Sequence, residues 1–332
     1  MELNCENIIE KWKKDPNFCK KNKSAVNDIN NHIKILDTLR DDYGVEQKSA
    51  IADFREGASR PIRREKDDNV KSRALAKVAE RVNDGQKVTG KIAREIIKEI
   101  KLEIKKEENP DYEEIADNCA IEWFTGNYLD KLSHLKDVDL ILTDPPYNAA
   151  FDSKEWGLLG QFAVDVLVDG GYFISYCGHL QLLDALTELS EYLDHYWIAA
   201  CLHGNQARLW GKKTWVGWKP IVIFTNGEPS DHHWFNDTIS DNDKDTKEFH
   251  DWSQPISQAK KLIEIFCPEG GTVLDPMCGA GTAPIAAYQL KRKAYGCDQD
   301  AKAIELCKVR FAELDSHLDS NSNSETEVDE CA

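Results

Sequence analysis

No apolar run in the 332 residues approaches the ~20 that a membrane-spanning helix needs, and the ten cysteines contain no C-x-x-C pair. The first lack argues against a membrane partner. The second removes the clustered ligands of a zinc site, and His232-His233 has no further ligand at metal spacing beside it, so no metal is expected. The cysteines read instead as small buried thiols in a reducing compartment. A secretory signal is missing too, since the start MELNCENIIEKWKKDPNF is polar and mixed in charge. A cytoplasmic location is the expectation. There is no internal repeat. The run Asp241, Asp243, Asp245 begins like a calcium loop, but Thr246 stands where glycine is required and Trp252 where the bidentate Glu belongs.

What is present is an ordinary globular composition, 41% hydrophobic and 30% charged, with a formal net charge of −17. The charge is uneven. Residues 1–110 carry 25 Lys/Arg and 21 Asp/Glu, and residues 111–332 carry 17 and 38. A basic excess in the first third is compatible with a phosphate-contacting module there, because local patches rather than totals set such contacts.

Three regions separate by pattern. Residues 1–113 are polar and helical. Ala74 to Val82 predicts a helix stopped by Asn83-Asp84-Gly85, and Thr89 can cap a second from Lys91 to about Lys106. The pair reads either as a helix-turn-helix that meets DNA or as a solvated hairpin. The cluster Lys11, Lys13, Lys14, Lys20, Lys21, Lys23 reads either as a phosphate patch or as a solvated face. Residues 117–314 alternate short strands with amphipathic helices, which predicts an α/β fold with a mostly parallel sheet and helices on both faces. The strands fall at 120–124, 138–143, 171–177, 195–201, 220–225, 272–275 and 294–298. Residues 315–332, DSHLDSNSNSETEVDECA, predict a disordered acidic tail.

Two sites carry chemistry. Asp275-Pro276-Met277-Cys278-Gly279-Ala280-Gly281-Thr282 follows the strand Thr272-Val273-Leu274 and opens a helix. Its glycines permit a tight turn and close approach of a ligand. Asp298 ends the next strand, 17 residues after Gly281, where a carboxylate can accept ribose hydroxyls. The full G-x-G-x-x-G and the P-loop lysine are both missing, so a nucleoside without phosphates fits better than a nucleotide, and S-adenosylmethionine is such a ligand. A structural turn is the alternative. The second site, Asp144-Pro145-Pro146-Tyr147-Asn148, ends a buried strand. Two prolines cannot continue a central strand. They make a rigid corner in which Asp144 and the Pro145 carbonyl can each accept one hydrogen of an amino group, while Tyr147 offers a stacking face. A stiffened loop with a solvated Asp is the alternative.

The pair DPPY and DPMCGAGT, in that order, resembles the permuted (β-class) amino-methyltransferases of DNA, the N6-adenine/N4-cytosine family. The resemblance covers about Cys119 to Leu314. It is supported by the lead-in IEWFTGNYLDKLSHLKDVDLILTDPPYN, by HDWSQPISQAKKLIEIFCPEGGTVLDP and by AYGCDQDAKAIELCKVRF. It implies the seven-stranded class I methyltransferase sheet, S-adenosylmethionine as cofactor and DNA as partner. Asp144, Pro145, Pro146 and Tyr147 would hold the target amine. Asp275, Cys278, Gly279, Gly281 and Thr282 would surround the methionine part of the cofactor, and Asp298 would take the ribose. Asn127 falls where the family more often has Asp near the adenine ring, and Gln254 where Lys is usual. The DPPY form is commoner among adenine-N6 enzymes than the SPPY of cytosine-N4 enzymes. Cytosine, an RNA or protein-amide target, and a non-catalytic DNA-binding regulator stay open, as does a cognate restriction endonuclease. Outside the core, residues 205–219 interleave Arg208, Lys212, Lys213 and Lys219 with Trp210, Trp215 and Trp218 and contain no acid. This reads either as a strand-gripping loop, with Asn148 added beside the catalytic corner, or as a hairpin with its tryptophans packed inward. Residues 228–253 predict a small recognition insert.

Overall fold

The computed structural model describes residues 23–45, 56–117, 121–147, 151–240 and 256–325. The chain divides into two compact units, Met1–Glu108 and Asn109–Ala332. The boundary falls five residues before the one read from the sequence, because Tyr112–Asp117 forms a short helix that packs within the second unit.

The first unit contains α1 (Lys23–Asp41), α2 (Glu56–Arg64), α3 (Asp68–Asn83) and α4 (Gly90–Glu108). The Asp67 carboxylate caps α3 by accepting from the Asn69 and Val70 amides at 2.8 and 3.2 Å. The helix ends at Asn83 and the chain turns through Gly85 at φ +72°. The Thr89 hydroxyl then accepts from the Ile92 amide at 3.3 Å to start α4. Ile35, Leu39, Ile62, Val78, Ile96 and Ile100 share one core. Part of the unit's basic charge is paired internally: Arg73 with Glu107, Lys77 with Glu103, and Lys101 with Glu65. Of the predicted lysine patch, positions 11–21 lie outside the described residues.

The second unit starts with α5 (Tyr112–Asp117), β1 (Ile121–Thr125), α6 (Tyr128–Lys131), β2 (Val138–Thr143), α7 (Ser153–Val166), β3 (Leu167–Tyr176) and α8 (Leu182–Leu189). It continues through β4 (Asp194–Leu209), β5 (Thr214–Thr225), β6 (Thr238–Ser240), α9 (Ile256–Phe266), β7 (Thr272–Asp275), α10 (Thr282–Gln289), β8 (Lys293–Asp298) and α11 (Ala301–Glu325). The strands form one sheet in the order β1-β8-β7-β2-β3-β5-β4-β6. It has eight strands rather than the expected seven, because the segment after residue 228 lays three residues, Thr238–Ser240, along the edge of β4. Alternate strand residues face opposite layers. Leu140, Leu142, Tyr172 and Ile174 pack on one face with Leu262, Ile263 and Phe266 of α9. Ile141, Phe173, Val222 and Phe224 pack on the other with Leu159, Phe162 and Leu189 of α7 and α8.

Residues 315–325, expected as part of a disordered tail, continue α11. Extending a helix already anchored by buried Val309, Phe311 and Ala312 needs no new nucleus. Residues 326–332 lie outside the described residues.

Two features of the sheet position the site. First, β2 and β7 are adjacent and parallel, with Leu140 opposite Val273 and Ile141 opposite Leu274. From this point the crossovers diverge, β2 through α7 to β3 and β7 through α10 to β8. Open sheets bind ligands outside the carboxyl ends at such a switch point. Second, β5 pairs antiparallel with β3 only from Ile221 to Thr225, whereas its pairing with β4 runs from Thr214 to Thr225. The first residues of β5 and the last of β4 therefore extend as a two-stranded ribbon past the carboxyl end of β3. Six residues, Thr214 to Lys219, at ~3.4 Å each carry its tip roughly 20 Å beyond the sheet.

Candidate active site

The carboxyl ends of β2 and β7 open into a cleft of about 590 Å³, walled on one side by Thr143, Asp144, Pro145, Pro146 and Tyr147 and on the other by Asp275, Met277, Cys278, Gly279 and Thr282. The volume is within the ~300–1,000 Å³ of small-molecule sites. Two segments far apart in the sequence thus face one another across one space.

On the first wall the prolines end β2 and hold the chain in a corner. Asp144 is partly exposed. Its Oδ1 accepts a short hydrogen bond from the Tyr147 hydroxyl, and Lys219 Nζ lies 3.5 Å from its Oδ2. Tyr147 is 45% exposed at the cleft wall, with Lys219 Nζ over its ring at 4.7 Å. Asn148 lies outside the described residues.

On the second wall Gly279 (φ +51°) and Gly281 (φ +73°) use left-handed backbone that other residues avoid. A Cβ on Gly279 would meet nothing within 4 Å, whereas one on Gly281 would press on Cys307 Sγ and the Trp123 ring at 3.0 Å. The first glycine leaves room; the second permits contact between the loop and α11. The loop is pinned by backbone and side-chain bonds. The Cys278 amide donates to the Cys297 carbonyl at 2.8 Å and the Gly281 amide to the Cys278 carbonyl at 2.7 Å. Arg310 of α11, buried, donates to the Ala280 carbonyl at 2.9 Å and to Thr282 Oγ1 at 3.0 Å. Arg310 escaped the sequence reading, since one arginine in the amphipathic segment KVRFAEL carries no signal that its side chain points inward.

Asp275 is buried at the end of β7. Burial pushes its carboxyl up to about 7, against the neighbouring Thr143 hydroxyl and the Met277 amide, which donates to its Oδ1 at 3.1 Å; the nearby charges of Asp144 and Asp298 add to the rise. Cys278 is buried against Cys307. The Cys307 side chain and burial raise its thiol well above the ordinary range, which fits a packing role and not a nucleophile.

Three predicted cofactor residues, Gly281, Asp298 and Asn127, stand outside the cleft lining. Asp298 accepts the Gly279 amide at 3.0 Å through Oδ2 and the Asp300 amide at 2.9 Å through Oδ1. Its carboxylate therefore ties the glycine loop to the end of β8. Asn127 caps α6, its Oδ1 accepting from the Leu129 amide at 3.0 Å. Gln254 lies outside the described residues.

The ribbon of β4 and β5 turns at Lys213, in left-handed backbone. Trp210 and Trp215 are 77% and 57% exposed, with Trp218 at 38%. The inward-packed alternative does not hold for the first two. The Arg208 guanidinium lies 4.3 Å from the Trp215 ring centre and 5.5 Å from that of Trp210, and Lys212 and Lys213 are exposed.

Residues 203–309 match the N6/N4 methyltransferase family, described as DNA methylase. The type II methyltransferase M2.MboI of Moraxella bovis is 22% identical over 250 residues, which span 60% of this chain and 90% of that relative. Among solved structures, the M1.HpyAVI–SAM complex is 18% identical with a TM-score of 0.48, covering 57% of this chain and 98% of that one. The PvuII DNA methyltransferase (cytosine-N4-specific) is 12% identical with a TM-score of 0.50, covering 58% of this chain and 88% of that one. The second unit has the class I methyltransferase fold.

Proposed function

We propose that this chain, a member of the N6/N4 DNA methyltransferase family, transfers a methyl group from S-adenosylmethionine to the exocyclic N6 amine of adenine in DNA. The observation that carries the reading is that one cleft is lined by both Asp144 and Pro145 and by the glycine loop.

The residues of the second wall suit this cofactor. The open space at Gly279 admits a ligand against the backbone, and no lysine follows the glycines of the loop as it would in a phosphate cradle. Asp275, Cys278, Gly279, Gly281 and Thr282 would hold the methionine part, and Asp298, through its tie to the loop, would sit by the ribose. When bound, the cofactor supplies an electrophilic methyl on its sulfonium.

The protein's own residues do the rest. A base rotated out of the duplex, at a cost of a few kcal/mol, stacks on the ring of Tyr147, which returns ~1–3 kcal/mol. Asp144 and the Pro145 carbonyl each accept one amine hydrogen. That localises the nitrogen lone pair, otherwise drawn into the ring, and aims it across the cleft. Holding the reacting atoms in line supplies most of the acceleration, and once the nitrogen has taken the methyl in place of the sulfur, one amine proton leaves. Adenine is preferred to cytosine on the DPPY sequence. Both amines fit the same acceptor pair.

The ribbon carries Arg208, Lys212, Lys213 and Trp215 at the mouth side of the sheet, and we assign it to the DNA backbone and flanking bases. Exposed tryptophans bracketing a guanidinium suit unstacked bases. The helical first unit and the segment after residue 228 are the candidates for sequence choice.

The test is labelled methyl transfer to DNA followed by nucleoside analysis. N6-methyladenine is the expected product; N4-methylcytosine would replace the base assignment, and label that resists deoxyribonuclease would replace DNA. Asp144→Ala is expected to bind cofactor normally and transfer nothing. Retained turnover would reject the role given to Asp144.

A further inference from the structure

Lys219 enters the cleft from the root of the ribbon, where β5 leaves the sheet. Its Nζ lies 3.5 Å from Asp144 Oδ2, 4.7 Å from the centre of the Tyr147 ring and 5.5 Å from that of Tyr176. A nitrogen bearing hydrogens thus stands between the carboxylate and the aromatic face that the reading above gives to the target amine. The side chain is 17% exposed, so the ammonium is held among these groups and not spread through solvent.

We propose that Lys219 is a positioning residue that occupies the target-amine subsite before DNA binds and yields it to the extruded base. This deepens the reading above and rests on it. No bond is made or broken; one donor replaces another on Asp144. The occupied subsite keeps the carboxylate aimed into the cleft and its partly desolvated charge compensated. The entering amine must displace the ammonium, and the flexible four-carbon stem lets it swing toward the mouth. Lys219 therefore acts against base entry: removing its charge should make extrusion easier, the reverse of what loss of a phosphate-binding lysine does.

The experiment compares wild type, Lys219→Met, Lys219→Arg, Asp144→Asn and the Lys219→Met/Asp144→Asn double variant, all as full chains. Base extrusion is read from 2-aminopurine placed beside the target adenine, and KM and kcat from methyl transfer. Lys219→Met is expected to raise the extruded fraction and lower KM for DNA roughly fivefold, the size of a partly exposed ion pair, with kcat little changed. Lys219→Arg, which keeps a cation, should stay close to wild type. On the Asp144→Asn background the gain in extrusion should vanish. A higher KM in Lys219→Met, or an equal gain with Asp144 already replaced, would overturn the proposal. Extrusion needs no turnover, and wild-type turnover tests the catalytic reading by itself, so the two failures are told apart.

Discussion

Asp275→Asn is the substitution whose effect is worked most directly from the structure. Asp275 is buried, and burial holds its carboxyl at about 7 against an ordinary 3.8. The folded protein keeps the proton over a range in which the unfolded chain has lost it. Folding therefore binds a proton between about pH 4 and 7, and stability falls as pH rises through that window. Ionising the group in the folded state costs the whole difference, about 4 kcal/mol at 1.36 kcal/mol per pH unit. Asparagine has the shape of the neutral acid and cannot ionise. The variant should match wild type near pH 4 and gain on it progressively, by up to about 4 kcal/mol above pH 7. Urea unfolding of both proteins across pH 4 to 8 measures this, and taking the difference cancels the slopes of the other acids. A difference that does not change with pH would refute the assignment of a buried neutral acid. Saturating S-adenosylmethionine adds a second arm: its cationic groups favour the carboxylate, so the wild-type slope should flatten and ligand affinity should rise with pH.

Four further variants test the neighbouring parts. Arg310→Met keeps the buried stem but leaves the Ala280 carbonyl and Thr282 hydroxyl without that donor; about 2 kcal/mol of stability should be lost, with weaker cofactor binding by calorimetry. Gly281→Ala forces a side chain into left-handed backbone, at ~1–2 kcal/mol, and presses on Cys307 and Trp123; the melting temperature should fall and cofactor affinity with it. Trp215→Ala should weaken DNA binding by roughly 1–3 kcal/mol in anisotropy titrations without changing cofactor affinity, and replacing Lys212 and Lys213 with Gln should reduce the salt dependence of binding by about two phosphate contacts.

The strand ends were legible because they coincide with abrupt chemical changes. The run Val138–Thr143 stops at Asp-Pro-Pro, and Thr272–Asp275 stops at a proline and two glycines. The ribbon was only half legible. Reading β5 from Pro220 is sound for a central strand, where proline breaks the ladder. Pro220 is instead the junction at which β5 passes from the sheet to the ribbon, its carbonyl accepting the Cys177 amide at 2.9 Å. Polar, tryptophan-rich residues beyond it remain paired because β4 alone supplies the partner. Asp298 and Asn127 show a different limit. Position along the chain identifies the strand end and the turn, but whether a carboxylate or amide faces a ligand or caps its own backbone depends on the local loop path. Arg310 was invisible as a site residue, and Lys219, legible only as one basic residue of the ribbon, could not be placed at the cleft, since their partners come from other elements.

The order of the two motifs in the chain has no bearing on how the cleft is made. What matters is that β2 and β7 lie side by side and parallel, because this brings their carboxyl ends to one edge at one level. Each crossover leaves on its own side, so neither helix covers the gap. Either strand could come first in the sequence with the same result, provided the pairing of Leu140 with Val273 survives. Register is therefore the vulnerable point: a slip by one residue would turn Leu140 and Ile141 to the wrong faces and carry Asp144 out of line with the glycine loop. The buried layers on both sides resist such a slip. Thr272 is fixed as well, its amide donating to Asp139 Oδ2 at 2.7 Å across the start of the two strands. Removing that carboxylate with Asp139→Ala should loosen the alignment from the far end of the sheet, lowering methyl transfer more than cofactor binding. Equal losses in both would mean that Asp139 supports the fold as a whole and not the registration of the two walls.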